Sequence, residues 1–504
     1  MDFIAQAQKL VRGLNERMGP SPYDIAWLAR LPGDCDGHPR WPDLIEWLLE
    51  NQQPDGSWGG KIPYYHDRII CTLAAAIALR ENGQTRRAQE AVHQAERYLW
   101  LHLHLLSRDP FELVGFELIL PTLLAEARAL SMDVPDHTCG YGEIRAAKLH
   151  LIPPEMVYSP RISTVHSLEF LGWSGDPERL QQALASNGSL GNSPAATVYY
   201  LLRCRDNGHP CSGDARALAY LETARLHSGQ VIYLYPFRIF ELTWVLNNLA
   251  FCGLSIRTFA ETEVWERLRQ EMGEKGIGLD PAFGISDGDI TSVSVSLLTS
   301  VGYEMDPAIL HHFEDPKTRT FRTYDYERNV SVGTNIHALR ALRVMPDYPD
   351  RREVQDRIIS MLLTNRTLDV YWVDKWHASP YYATAHVLVG LMEEGSYLAD
   401  PCRHAVSWLL HTQRDDGSWG FFDQGTAEET AYALTALLHY NLCERVDVEI
   451  LQRGAAYLQR AYEETRSGYA ELWIGKCLYI PYDVVQSAIL AALILYQEMF
   501  GRSP

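Results

Sequence analysis

Apolar residues recur three and four positions apart through most of the chain, the spacing of a helix with one buried face. In residues 1–18, Phe3, Ile4, Ala7, Leu10, Val11 and Leu14 share such a face, and the run Gly19-Pro20-Ser21-Pro22 breaks it. Helix and turn then alternate to the end. The same spacing predicts helices over 41–53, 68–82, 86–105, 112–130, 162–171, 194–204, 213–226, 236–251, 260–271, 290–302, 333–344, 351–363, 380–394, 401–412, 427–441, 448–463 and 482–500. Period-two alternation is rare and short, so the expected fold class is all-α.

The pattern also repeats internally. Residues 47–59 read WLLENQQPDGSWG and residues 408–420 read WLLHTQRDDGSWG, each at the end of one helix and the start of another. A weaker relative, ASNGSLGNSPAATVYYLL, occupies 185–202. Glycine lets the chain turn, Asp and Ser are expected to cap the following helix, and Gln and Trp can tie neighbouring helices together. Thr426 through Glu429 reads as a capping box for the helix after the second copy. These copies read as punctuation between helix pairs in a barrel, with no chemistry of their own.

Length and charge narrow the classes. At 504 residues the chain exceeds one ordinary core, so two or three domains are expected. A net charge of −19 argues against a nucleic-acid partner and against a basic membrane-docking face. The nine cysteines are scattered without a CxxC pair and read as reduced thiols of a cytoplasmic protein. No basic-then-apolar leader and no run of about 18 apolar residues appears, so neither a signal peptide nor a transmembrane helix is expected.

The candidate chemistry lies in Ser286 through Ser292, SDGDITS, just before the apolar run VSVSLLTSVGY. Asp287 and Asp289 flank a glycine at a helix start. Two acids this close cannot both ionise cheaply in a dry pocket, so one of them should keep its proton, which suits a general acid. Taken alone, the same letters fit an Asp-Gly-Asp turn or a loose cation site.

SDGDITS resembles the DxDD motif of class II terpene cyclases in its bacterial variant, and the DGSWG copies resemble the QW motifs of triterpene and related cyclases. Further resemblance runs through SPYDIAWLARL (21–31), HDRIICTLAAAIAL (66–79), VGFELILPTLLAEA (114–127), KLHLIPPEMVYSPRISTVHSLEFL (148–171), YPFRIFELTWVLNNL (235–249), DKWHASPYYATAH (374–386) and ELWIGKCLYIPYDVV (471–485). The chain is most similar to bacterial diterpene cyclases of the copalyl diphosphate synthase kind. The resemblance implies two α-barrel domains: β, formed by 1–20 with 230–504, and γ, formed by 21–229.

It also implies a reaction: protonation of the terminal alkene of a linear prenyl diphosphate, then ring closure through carbocations with the diphosphate retained. On this resemblance Asp289 is the proton donor, Asp287 helps hold the proton, and Asn335 orients it, with Ser331 assisting. Ile290 stands where the family has Asp or Thr, leaving Thr291 and Ser292 to supply polarity. Tyr381, Tyr382, Trp372, Trp376, Phe421, Phe422 and Tyr235 are the aromatic candidates for stabilising cations. Lys148, Arg161 and Lys476 are candidates for the diphosphate, and Asp109 and Glu112 stand where the family carries an acidic Mg²⁺ motif. His166, His386 or water could serve as the closing base. The implied partners are a downstream class I terpene synthase or phosphatase, and a second copy in a homodimer.

No DDxxD with its companion acidic motif is present, so the chain is not expected to ionise the diphosphate. Three other readings stay open: farnesyl diphosphate or a prenylated aromatic as substrate; a helical-barrel glycosidase, which needs a second carboxylate about 5–10 Å from the first; and a non-catalytic helical-barrel binding protein.

Overall fold

A computed structural model describes residues 1–33, 38–83, 85–206, 208, 212–228, 230–395, 400–464 and 468–501. Among these the regular structure is helical apart from one antiparallel pair of two-residue strands, Trp473–Ile474 with Leu478–Tyr479. The all-α expectation is met.

Six helices close a ring in which each packs on the next: Arg238–Ala250, Gly288–Ser300, Val332–Arg343, Pro380–Glu393, Ala427–Asn441 and Tyr482–Phe500, the last returning to the first. Thr262–Glu271, Ala308–His311, Arg351–Thr364, Asp400–His411 and Val448–Glu464 lie outside this ring, and Phe3–Arg12 packs on Tyr482–Phe500. Burial explains the layering. Asp400–His411 buries Cys402, Ala405, Val406 and Leu409, a single stripe. Tyr482–Phe500 is buried from Asp483 to Tyr496 without a break. By length and composition that helix could cross a membrane, but 72% of its most apolar window is buried within the protein.

A second ring is built from Pro22–Ala29, Tyr65–Asn82, Phe116–Ala129, the 3₁₀ segment Ser163–Ser174 and Pro194–Asp206, which packs back on Pro22–Ala29. The two rings meet at the strand pair: Val114 N–H donates to Gly475 O at 2.8 Å, and Leu478 N–H donates to Asp67 Oδ1 at 2.7 Å.

Several local expectations are corrected. The first helix ends at Arg12, where Gly13 N–H closes on the carbonyls of Lys9 and Leu10. Residues 162–171 form 3₁₀ turns, with Ser167 and Gly172 in non-helical conformations, in place of the expected helix. Pro22–Ala29 and Tyr141–Leu151 are helices that periodicity did not predict. The first is buried on nearly all sides, and the second buries only Tyr141. None of the seven described cysteines is in a disulfide; Cys35 and Cys211 lie outside the described residues.

The DGSWG turns act differently from the expected caps. In each copy the Asp (Asp55, Asp416) accepts from the N–H and hydroxyl of the Ser two residues on, closing an Asx turn. The Trp ring N–H donates to a carbonyl ten residues back: Trp58 to Leu48 at 2.7 Å and Trp419 to Leu409 at 2.8 Å. The Trp backbone N–H donates to a Thr hydroxyl in the next helix, Thr72 or Thr430. Gln52 and Gln413 then reach a neighbouring helix at Ala91 O and Ile450 O. Gly56 and Gly417 both have φ +90°, and a Cβ at Gly417 would lie 2.5 Å from Arg453 O.

A further turn of this design, unseen in the sequence, surrounds Trp372. Its ring N–H donates to Leu362 O at 2.6 Å and its backbone N–H to Thr384 Oγ1.

Candidate active site

Asp287 caps the Gly288–Ser300 helix. Its Oδ1 accepts the N–H groups of Asp289 at 2.8 Å and Ile290 at 2.9 Å. Gly288 is required by packing, because a Cβ there would stand 2.2 Å from Arg322 O. The cap turns Asp289 into the first helical turn, facing a cavity between the two rings. From the six-helix ring and its loops come Phe240, Trp244, Asp287, Asp289, Ile290, Tyr324, Trp376, Trp473 and Tyr479; from the other side come Val114, Ser163 and His166. A larger surface groove, of about 870 Å³, runs beside Gln8–Glu16 and Arg257–Leu268. Its buried acid Glu241 and its neighbour Glu16 are taken up by backbone N–H groups of Glu16, Arg17 and Phe237.

Asp289 and Asp287 are both almost wholly buried. Burial, then the charge of Asp289, pushes Asp287 up to about 7. Asp289 Oδ1 pairs with His337 Nδ1 at 2.6 Å, and His337 Nε2 meets His386 Nδ1 at 2.9 Å. Nothing singled out His337 in the sequence, where a lone His in SVGTNIHAL reads as core.

The expected partners of the acid are elsewhere. Asn335 is spent on backbone: its Oδ1 accepts from Phe321 N–H at 2.8 Å, and its Nδ2 donates to Phe321 O and Ser331 O. Ser331 donates to Asp374 at 2.8 Å. Thr291 and Ser292 likewise bond to Ile277 O and Gly288 O. The polarity beside Asp289 therefore comes from His337, two residues past Asn335.

His166 faces the cavity from the other ring. Its Nδ1–H donates to Gly191 O at 2.7 Å, and its buried Nε2 has no partner. Burial, then the nearby Lys476 ammonium, lowers it to about 3, so it stands as a neutral imidazole with an open lone pair. His386 lies behind His337, away from the cavity lining. Of the two histidines considered for the closing step, only His166 reaches the cavity.

Of the seven expected aromatics, only Trp376 lines the cavity. Trp372 belongs to the structural turn. Tyr381 stacks on Trp408 at 4.5 Å, and Tyr382 stacks on His377 at 4.7 Å behind the wall. Phe421 is 42% exposed and packs on Phe422, while Tyr235 lies against His227. The wall is instead made by Phe240, Trp244 and Trp473, with Trp244 5.1 Å from Phe240 and 6.3 Å from Trp473. Tyr324, Tyr233 and Tyr479 complete it, the last two 4.9 Å apart. These residues come from segments far apart in sequence, which single-chain patterning does not join.

The expected cations also separate. Lys476 is fully buried, and its ammonium is taken by Glu169 at 2.8 Å, Ser193 and His166 O, so it is structural. Arg161 is exposed and outside the cavity lining. Lys148 donates to Tyr326 O beside the cavity-lining Tyr324, in the same group of charges as Glu117, Arg328 and Lys375.

Asp109 and Glu112 do not form an open acid pair for Mg²⁺. Asp109 Oδ2 is taken by His66 N–H at 2.8 Å and His66 Nδ1 at 2.7 Å, and Glu112 is paired with Arg328 at 2.6 Å. His66 Nε2 meets Tyr141 Oη at 2.8 Å, and that hydroxyl turns toward Glu112, tying the segment into one protein network. Among the described residues no group of three or more His, Cys, Asp or Glu is arranged to hold a metal.

Residues 325–489 match the family model of the squalene-hopene cyclase C-terminal domain. The chain is 36% identical to a type B diterpene cyclase of Mycobacterium tuberculosis, over 96% of this chain and 97% of that one. It is 30% identical to the (+)-kolavenyl diphosphate synthase of Herpetosiphon aurantiacus, covering 98% and 97% of the two. Among solved structures, ent-copalyl diphosphate synthase from Streptomyces platensis superposes with a TM-score of 0.79 at 30% identity, covering 98% of this chain and 99% of that one.

Proposed function

The chain belongs to the class II diterpene cyclases, and we propose that it protonates the terminal alkene of geranylgeranyl diphosphate and closes it to a bicyclic diphosphate. The observation that carries this reading is Asp289: one oxygen is held by His337, and the side chain faces an aromatic cavity.

An alkene is a very weak base, so the donor must be protonated, desolvated and aimed. Asp287 supports Asp289 by holding the helix start and by keeping a second acid, itself pushed up by burial, beside it. As positive charge moves along the folded chain, Trp244, Trp473, Phe240 and Trp376 present ring faces and edges. Each face supplies about 0.5–2 kcal/mol of cation stabilisation without offering a nucleophile. His166 then accepts the departing proton on Nε2. Lys148, with Arg328 and Lys375 nearby, receives the diphosphate, which no step of this scheme ionises.

We assign the six-helix ring to a β domain of residues 1–20 with 230–504, and the second ring to a γ domain of 21–229. Mg²⁺ belongs to the scheme only as counterion of the substrate diphosphate. The product keeps an allylic diphosphate, so it must be consumed by an enzyme that ionises that group, of class I terpene synthase type, or by a phosphatase.

The test is incubation with geranylgeranyl and with farnesyl diphosphate, dephosphorylation, and gas chromatography with mass spectrometry, beside an Asp289→Asn control. A bicyclic C20 alcohol absent from the control is expected. A bicyclic C15 alcohol alone would assign farnesyl diphosphate. Linear alcohols from both, with folded protein, would overturn the reading in favour of a prenylated aromatic substrate.

A further inference from the structure

Two histidines stand in line behind the acid. Asp289 Oδ1, His337 and His386 are joined by contacts of 2.6 and 2.9 Å, and all three side chains are almost wholly buried. The line ends at His386 Nε2, which has no partner and borders a small void between Asn248, Phe251, Val389, Tyr432 and Ala488.

We propose that His386 is a positioning residue that fixes the direction of the hydrogen bonds behind Asp289, so that the acid's proton sits on the oxygen facing the alkene. This rests on Asp289 being the proton donor. If Asp289 carries its proton on Oδ2, Oδ1 is the acceptor and His337 Nδ1 must carry hydrogen. A neutral His337 then has a bare Nε2, which needs a donor, and the hydrogen bond found there comes from His386 Nδ1. His386 is left with a lone pair, not an N–H, against the small void. An unmet acceptor is the commoner and cheaper orphan in a protein interior.

His386 is suited to stay neutral in this role. Burial and the charges of His337, Arg340 and His377 hold its titration well below the usual histidine range. The reverse order would place the Asp289 proton on Oδ1, pointing away from the cavity. A neutral His386 donating from Nδ1 excludes that order, because His337 Nε2 cannot then donate back.

Neutron diffraction from crystals exchanged into deuterium oxide tests this without reference to turnover. Deuterium is expected on Nδ1 of both His337 and His386; deuterium on Nε2 of His337 would overturn the proposal. Kinetics supply the second readout. His386→Leu is expected to lower kcat roughly ten- to a hundredfold, the scale of losing an orienting partner behind a reactive group, with KM unchanged. His386→Asn, whose amide can donate to His337 from the position of Nδ1, should recover most of that loss. Equal kcat in wild type and His386→Leu would overturn the proposal even if the deuterium lies as expected. If Asp289 is not the donor, the deuterium order can persist while Asp289→Asn stays active, which separates this failure from failure of the functional reading.

Discussion

His337 Nδ1 stands 2.6 Å from Oδ1 of Asp289, and neither side chain has appreciable access to solvent. The pair joins two adjacent walls of the six-helix ring, so the acid's orientation depends on the packing of Gly288–Ser300 against Val332–Arg343. Protonating an alkene demands this kind of fixed aim, because no hydrogen bond from the substrate can correct it.

Asp289→Asn should therefore abolish cyclisation, by at least about a thousandfold, since general acid catalysis supplies about 10²–10⁴ and Asp287, the other acid lining the cavity, is committed to capping the helix. His337→Phe should keep the fold but lose roughly ten- to a hundredfold in kcat, the scale of an orienting partner. Product quantified by mass spectrometry, beside circular dichroism of each variant, checks both. Full activity in His337→Phe would remove His337 from the site.

The pH dependence follows from the proton held on Asp287. Asp287 is pushed up to about 7 by burial and by the charge of Asp289 beside it. The proton needed for catalysis is present below that value and lost as pH rises through it. A pH–rate profile should show kcat/KM falling above about 7. In Asp287→Asn that limb should be lost, because the group that titrates there is gone.

Stability should carry the same signature with its own sign. A carboxyl whose folded pKa is raised adds stability that is full below its unfolded value and gone once pH exceeds the folded value. For Asp287 that window runs from the ordinary 3.8 up to about 7. The melting temperature of wild type relative to Asp287→Asn should thus rise as pH falls from 7 to 4. A difference independent of pH in paired melting curves would contradict the buried, raised acid.

His166→Phe tests the other end of the cavity. Nε2 is an unpartnered buried acceptor at a neutral imidazole, the right state to take a proton from a carbocation. Without it the cation must lose its proton elsewhere or capture water. The expected result is a lower kcat with isomeric alkenes or a hydroxylated product, and an unchanged single product would assign the base elsewhere.

The acid motif was legible because its parts are adjacent: two carboxyls, a glycine and an apolar helix within a dozen residues. The two long repeats were legible for the same reason. His337 was not, since its meaning comes from a helix one strut away in the ring. The cavity wall was mostly missed because Trp244, Tyr324 and Trp473, far apart in sequence, meet only after the six-helix ring closes. Pro22–Ala29 escaped because a helix buried on nearly every side shows no periodicity. Lys476 misled for the opposite reason: its segment resembles the family, but its ammonium is enclosed by Glu169 and Ser193.

The two kinds of tryptophan should separate cleanly on substitution. Trp419 is fully buried, with its ring N–H on Leu409 O and its backbone N–H on Thr430, and it does not line the cavity. Trp419→Phe keeps most of the apolar contact but leaves the Leu409 carbonyl without that donor, a cost of about 1–3 kcal/mol. Trp376 instead borders the cavity and donates to Thr323 Oγ1 at 3.3 Å. Trp376→Phe should leave the melting temperature nearly unchanged while lowering kcat or altering the product, because a weaker ring quadrupole faces the cation. Trp419→Phe should lower the melting temperature and leave kcat and product intact at a temperature where the variant is folded. Measuring melting and product for both variants together decides the matter. If Trp419→Phe changes the product while its stability holds, the DGSWG turn shapes the cavity as well as the barrel.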